Sequence, residues 1–144
     1  MQRLKSRAQF QAVLAGSTVA RTPHFALHQL VLSADAPLAE LFPVQSTWLG
    51  AMAPKRWARR AVTRNAIKRQ VYAVTDEFEP RLQGLPVAAY VLRLRATFDR
   101  KQFVSASSDA LKLAVRTELH QLMTRLVGKG DHTTVPFGAG GAAA

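Results

Sequence analysis

The chain has 144 residues, 48% of them apolar or aromatic, which suits one domain with a substantial buried core. Twenty Lys and Arg against nine Asp and Glu give a formal charge of +11, a self-repulsion that calls for a polyanion or an anionic surface as partner. The lack of cysteine excludes disulfides and thiolate metal sites. No run approaches the ~18 apolar residues of a membrane span, and no signal-type apolar stretch follows the cationic residues 1–7, so a cytoplasmic location is expected.

Residues 3–15 carry Leu4, Ala8, Phe10, Val13 and Leu14 among cations and stop at Gly16, which predicts a short amphipathic helix. One of its faces would read Arg3, Arg7, Phe10, Leu14. Pro23 breaks the chain, and residues 24–32 predict a strand with His24, Ala26, His28 and Leu30 on one side and Phe25, Leu27, Gln29 and Val31 on the other. Residues 33–46, with Pro37 and Pro43, predict a loop with room for a short helical turn. A second strand is expected over 47–53, ended by Pro54.

From 59 to 78 the period becomes helical. Ile67, Val71, Val74 and Phe78 form one apolar stripe, and Arg64, Asn65, Lys68, Arg69 and Tyr72 cluster about 120° away from it. Pro80 and Gly84-Leu85-Pro86 predict the end of this unit. Residues 87–96 predict a strand with Ala88, Tyr90, Leu92 and Leu94 on one face and Val87, Val91, Arg93 and Arg95 on the other. A second long helix is expected over 105–126, capped by Ser105, with Leu111, Val115, Leu119, Leu122 and Leu126 inward. The domain would span 1–127, and the Gly/Ala-rich residues 128–144 predict a disordered tail. The order of elements gives an α+β fold, one sheet with packed helices.

The charge is unevenly placed, since no acid lies between Glu40 and Asp76. Within that gap stand Lys55, Arg56, Arg59, Arg60, Arg64, Lys68 and Arg69. A helix with so many like charges and no i,i+4 carboxylate repels itself. A phosphate backbone supplies the missing counter-charge and releases counterions on binding. The preponderance of arginine favours bidentate phosphate contacts. Asn65 among the cations could hydrogen-bond a base edge or a 2′-hydroxyl. A solvated helix face is the alternative for an ordinary charge run; an acid-free stretch of this length favours nucleic acid, with RNA and DNA unresolved.

The pattern of a strand, then Lys55-Arg56, Arg59-Arg60-Ala61, Arg64-Asn65 and Ile67-Lys68-Arg69 resembles the signature of the bacterial ribonuclease P protein subunit. Phe10 with Val13 and Gly16, Phe25, and Leu49-Gly50 also fall where that family has counterparts, so the resemblance covers the chain to about residue 127. Two positions depart from it. Ala66 stands where the family's Arg-Asn-Arg has its last arginine, and the Arg-Glu that commonly follows Lys-Arg is missing, with Tyr72-Ala73 in that region.

The resemblance implies an αβββαβα, ribosomal-protein-like sandwich with a left-handed βαβ crossover, against the usual rule of handedness. That order needs one more strand, expected near 41–46. It also implies the catalytic RNA of ribonuclease P as partner and precursor tRNA as substrate, with no membrane and no obligate protein partner. Catalysis would belong to the RNA, with Mg²⁺ bound mainly by it. Lys55, Arg56, Arg59, Arg60, Arg64, Asn65, Lys68 and Arg69 would dock on the catalytic RNA. The 5′ leader of the substrate would lie between the first helix and the sheet, where aromatics stack on bases and cations hold phosphates. Phe10, Phe25, His28, Arg93 and Arg95 are the candidates there. Core packing is the alternative for the two phenylalanines, and a solvated strand end for the two arginines.

Other signals carry less. His24 and His28, four apart on a strand, are about 13 Å apart and cannot share a metal ion. Asp76, Glu77 and Glu79 read as a solvated helix end rather than a nuclease metal centre. Trp48 and Trp57 are assigned to core or interface. A ribosomal-type ribonucleoprotein component would share this charge and fold class. A DNA-binding regulator would use 59–78 as recognition helix, but the strand directly before it leaves no helix-turn-helix.

Overall fold

In a computed structural model that describes residues 1–32, 36–98 and 109–134, Ser6 decides where the chain first turns helical. Its hydroxyl accepts the Gln9 amide at 3.2 Å, while Gln9 Oε1 accepts the backbone N–H groups of Lys5 (2.7 Å) and Ser6 (3.2 Å). This capping box starts α1 at Arg7–Leu14, later than the expected 3–15. The residues before it become an edge strand, β1 (Gln2–Arg3), so Arg3 leaves the stripe expected on α1.

β2 (Ser17–Arg21), β3 (Phe25–Val31), β4 (Trp48–Met52) and β5 (Ala88–Leu94) join β1 in one sheet of order β1-β4-β5-β3-β2. The additional strand is therefore Ser17–Arg21. Residues 42–46 carry no strand, because α2 (Ala36–Leu41) and Pro43 fill that connection. β5 pairs antiparallel with β3 and parallel with β4. Every β5 residue except Arg93 is buried, as expected of a central strand covered on both faces.

Parallel β4 and β5 require a long crossover, and α3 (Ala61–Leu82) provides it. Ile67, Val71, Val74 and Phe78 pack as the apolar stripe anticipates, against Leu49, Tyr90 and Leu92 of the sheet. α4 (Asp109–Thr134) completes this layer with Val115, Leu119 and Leu122. Each such buried aliphatic side chain contributes roughly 1.5–3 kcal/mol. The opposite face of the sheet, with Trp48, Ala89 and Val91, packs on Leu4 and Val13, and the Gln9 amide ties α1 to the Leu41 carbonyl at 2.9 Å. Leaving aside the two-residue β1 and the short α2, the order is αβββαβα.

Two helix ends differ from expectation. Pro80 lies inside α3 rather than ending it. Its missing N–H deprives only the Asp76 carbonyl, and one turn from the helix end that loss is small beside burial of Phe78 and Leu82. α4 runs through Gly128 to Thr134, past the boundary set at 127. A helical glycine costs only ~1 kcal/mol, which buried Leu126 and Val127 offset in the turn before it. The Ser105 cap and residues 135–144 of the expected tail lie outside the described residues.

At Gly16, where α1 hands over to β2, a Cβ would collide with the Gln29 carbonyl oxygen and crowd its carbon at 3.2 Å. Backbone cannot yield as a side-chain tip can. Gly16→Ala should therefore destabilise the domain by about 1–3 kcal/mol, measured as a lower urea midpoint with an unchanged slope.

Candidate nucleic-acid interface

Pro54 begins a turn whose carbonyl accepts the amides of Trp57 (3.0 Å) and Ala58 (3.1 Å). Buried Ala58 and half-buried Trp57 anchor this turn to the core, which turns Lys55, Arg56, Arg59 and Arg60 outward, all exposed. Arg64 is different. Its Nη1 donates to the carbonyls of Ala58 (3.0 Å) and Arg59 (2.7 Å), and its side chain is only half exposed. It holds the turn against the first coil of α3 and so sets the position of the other cations.

On α3 itself Asn65, Lys68 and Arg69 are exposed, and Tyr72 carries the Arg3 guanidinium 3.9 Å above its ring. Ala66 is buried at 8% exposure, so it adds nothing to the outer face. The first turn of α3 contains no acid, and its N-cap residue Arg60 makes no side-chain cap. The positive end of the helix dipole therefore adds to the charge of the exposed cations around it, a local field that favours an external anion.

The second candidate surface is the sheet face under α1. Phe10 lies over Gly50, where a Cβ would come within 2.6 Å of the Phe10 ring, so the absent side chain is what seats the aromatic there. His28 is on this face, between two neighbours. Arg93 Nε donates to His28 Nε2 at 3.1 Å, and Thr18 Oγ1 lies 3.1 Å from His28 Nδ1. Burial, followed by the charges of Arg93 and Arg21, holds the His28 pKa below its ordinary value.

Phe25 is a correction. It is wholly buried on the opposite face, among the side chains of the α3 and α4 layer, and has no surface to offer a base. Strand alternation already separated it from His28; only the packing shows which side is sealed. Arg95 is exposed, but its Nη1 donates to the carbonyls of Thr22 and Pro23, both at 2.9 Å. It closes the β2–β3 turn. The same turn is clamped from α4, where Glu118 accepts from Thr22 Oγ1 (2.6 Å), the His24 amide (2.7 Å) and His24 Nδ1 (2.8 Å).

In the acidic cluster, Glu77 pairs with Arg116 and His120, and Glu79 accepts the Met1 α-ammonium at 2.9 Å. Trp48 is buried with its Nε1 on the Val44 carbonyl at 2.9 Å, while Trp57 packs on the core edge beside Arg56. Thr18 and Arg21 join the His28 surface without having been singled out in the sequence, because no strand was expected there.

The Ribonuclease P family profile matches residues 1–125 of the chain. The ribonuclease P protein component of Bordetella parapertussis is 34% identical over 124 residues, 86% of this chain and 90% of the relative. That of Bordetella avium is 37% identical over 116 residues, 81% of this chain and 83% of the relative. In structure the chain is similar to the Staphylococcus aureus RNase P protein, with TM-score 0.58, 19% identity, and coverage of 86% of this chain and 94% of that one.

A folded His28 pKa below 6.5 means that the unfolded chain binds this proton more readily. The stability it confers is complete above the unfolded value and is lost as the pH falls through the folded one. The ring of His28 should titrate below pH 6.5 by NMR, and His28→Gln should flatten the acid limb of the stability profile.

Proposed function

This chain belongs to the ribonuclease P protein family, and on that premise we propose that its two cationic surfaces divide the work of one tRNA-processing ribonucleoprotein. As a ribonuclease P protein component it is an RNA-binding partner of the ribonuclease P RNA. The 55–69 surface docks on that RNA. The observation that supports this docking is the row of outward cations Lys55, Arg56, Arg59, Arg60, Lys68 and Arg69, with Asn65 among them and Arg64 bracing the turn. Such a surface offers a phosphate backbone a concentration of counter-charge and the release of its condensed counterions.

The α1 side of the sheet takes the 5′ leader of precursor tRNA, with Phe10 as the aromatic neighbour and Arg93 as the cation. Arg95 borders the same end of the strand but serves mainly to close the turn. Catalysis rests with the RNA, which also holds most of the Mg²⁺, and the assembly works in the cytoplasm. Glu77 and Glu79, engaged in their own ion pairs, favour this division over a protein-borne metal centre. Among the described residues no helix is long and apolar enough to cross a membrane.

The purified protein should leave precursor tRNA uncut, and addition of the ribonuclease P RNA at low Mg²⁺ should restore 5′ cleavage. Metal-dependent cutting by the protein alone would move catalysis to this chain. Lys68→Ala with Arg69→Ala should weaken binding to the catalytic RNA and lower the salt slope by up to about 2, at unchanged thermal stability. Arg64→Ala should weaken the same binding and also cost about 1–3 kcal/mol of stability, because two carbonyls lose their donor. If the Lys68 and Arg69 changes leave the salt slope alone, the docking surface is elsewhere.

A further inference from the structure

Strand pairing places eight residues of the α1 face in two adjacent rows. Gly50, Val91, His28 and Thr18 stand side by side across β4, β5, β3 and β2, and Met52, Arg93, Ala26 and Arg21 form the next row. Thr18 and Arg21 are three residues apart and would face opposite ways on a regular strand. The register shift between Thr18 and Ala20 brings both onto this face. Phe10 covers the Gly50 end of the first row. At the other end Thr18 and Arg21 are exposed, and Arg93 is half exposed.

The hydrogen bonds in this corner have one direction. Arg93 Nε can only donate, so His28 Nε2 is the unprotonated nitrogen and the ring proton sits on Nδ1. Nδ1–H therefore donates to Thr18 Oγ1. The Thr18 oxygen then holds an accepted bond, which leaves the hydroxyl proton to be given outward, at the exposed end of the chain of bonds. Arg93, with one N–H fixed on His28, keeps its terminal amino groups for another acceptor. Among the described residues neither Arg21 nor Arg93 has a carboxylate partner. Two arginines and an oriented hydroxyl thus share one corner of this face, with no carboxylate supplied to them by the described part of the protein.

We propose that Thr18, Arg21 and Arg93 form a phosphodiester site for single-stranded RNA, with His28 as a neutral positioning residue that holds Arg93 and aims the Thr18 hydroxyl. This rests on the reading of the α1 face as the leader surface, and it adds to that surface one backbone phosphate beside the aromatic Phe10. Burial and the two flanking arginines keep His28 uncharged near neutral pH, which maintains its role as acceptor for Arg93. A protonated His28 could not accept that bond.

The test uses holoenzyme reconstituted with the cognate catalytic RNA and precursor tRNAs in which leader phosphates are replaced one at a time by neutral methylphosphonate. With wild-type protein, one position should lower affinity about tenfold, the scale of a lost charge-assisted contact. Thr18→Val and Arg21→Gln should each weaken the normal substrate and lose much of their effect on that modified substrate. His28→Leu should act likewise, and His28→Gln, whose amide can accept from Arg93 and donate to Thr18, should restore binding. Nitrogen-15 spectra should show His28 as the Nδ1–H tautomer. If the Thr18 and Arg21 effects add in full to every methylphosphonate, the phosphate site is wrong while the leader surface stands. If removing the leader leaves wild-type affinity unchanged, both readings fall. Should His28→Leu not fold, the Thr18 and Arg21 variants decide the matter alone.

Discussion

Parallel pairing of β4 with β5 is the constraint on which the rest of the molecule depends. Consecutive parallel strands cannot be joined by a hairpin, so the chain must cross over the sheet, and α3 is that crossover. Its inner stripe of Ile67, Val71, Val74 and Phe78 is held by the sheet, which leaves the opposite side no choice but solvent or a partner. The cations are therefore displayed by a helix whose rotation is set by its own buried residues. A helix that could roll would present them in no fixed array.

In both candidate surfaces some polar side chains are occupied with the protein so that others can be presented. Arg64 gives its guanidinium to two carbonyls of the preceding turn, and the exposed Lys55, Arg56, Arg59 and Arg60 inherit a defined position. Arg95 and Glu118 tie down the β2–β3 turn, which holds β2 against β3 and with it Thr18 and Arg21. Bracing of this kind lowers the entropy that must be lost on binding, because the cations are already arranged when the RNA arrives.

The two faces of the sheet have different duties for a simple reason of coverage. α3 and α4 together cover most of one face with long apolar stripes, and Phe25, Leu27, Tyr90 and Leu92 on it are committed to the core, while Gln29 and the exposed Val31 lie at its margin. The short α1 covers only part of the other, so polar residues persist where the helix does not reach. Phe10 sits at that border, seated by the missing side chain of Gly50.

Period and charge made much of this legible from residue order. The alternation over β3 put His28 and Phe25 on opposite faces, the 3.6-residue stripe gave α3 its inner side, and the acid-free interval singled out the cations. Those are local properties, repeated along the backbone, and residue order alone exposes them. What residue order left open is which neighbour each surface meets. Phe25 and Phe10 are both aromatic residues in apolar patterns, yet one is sealed under α4 and the other lies at an edge, a difference made by residues far away in the chain. Arg64 looked like any other cation until its carbonyl partners were in place. Thr18 and Arg21 share a face because of a register shift in a strand whose sequence, Ser-Thr-Val-Ala-Arg, shows no alternation to read. Strand partners and bulges are settled by long-range pairing, and no local period encodes them.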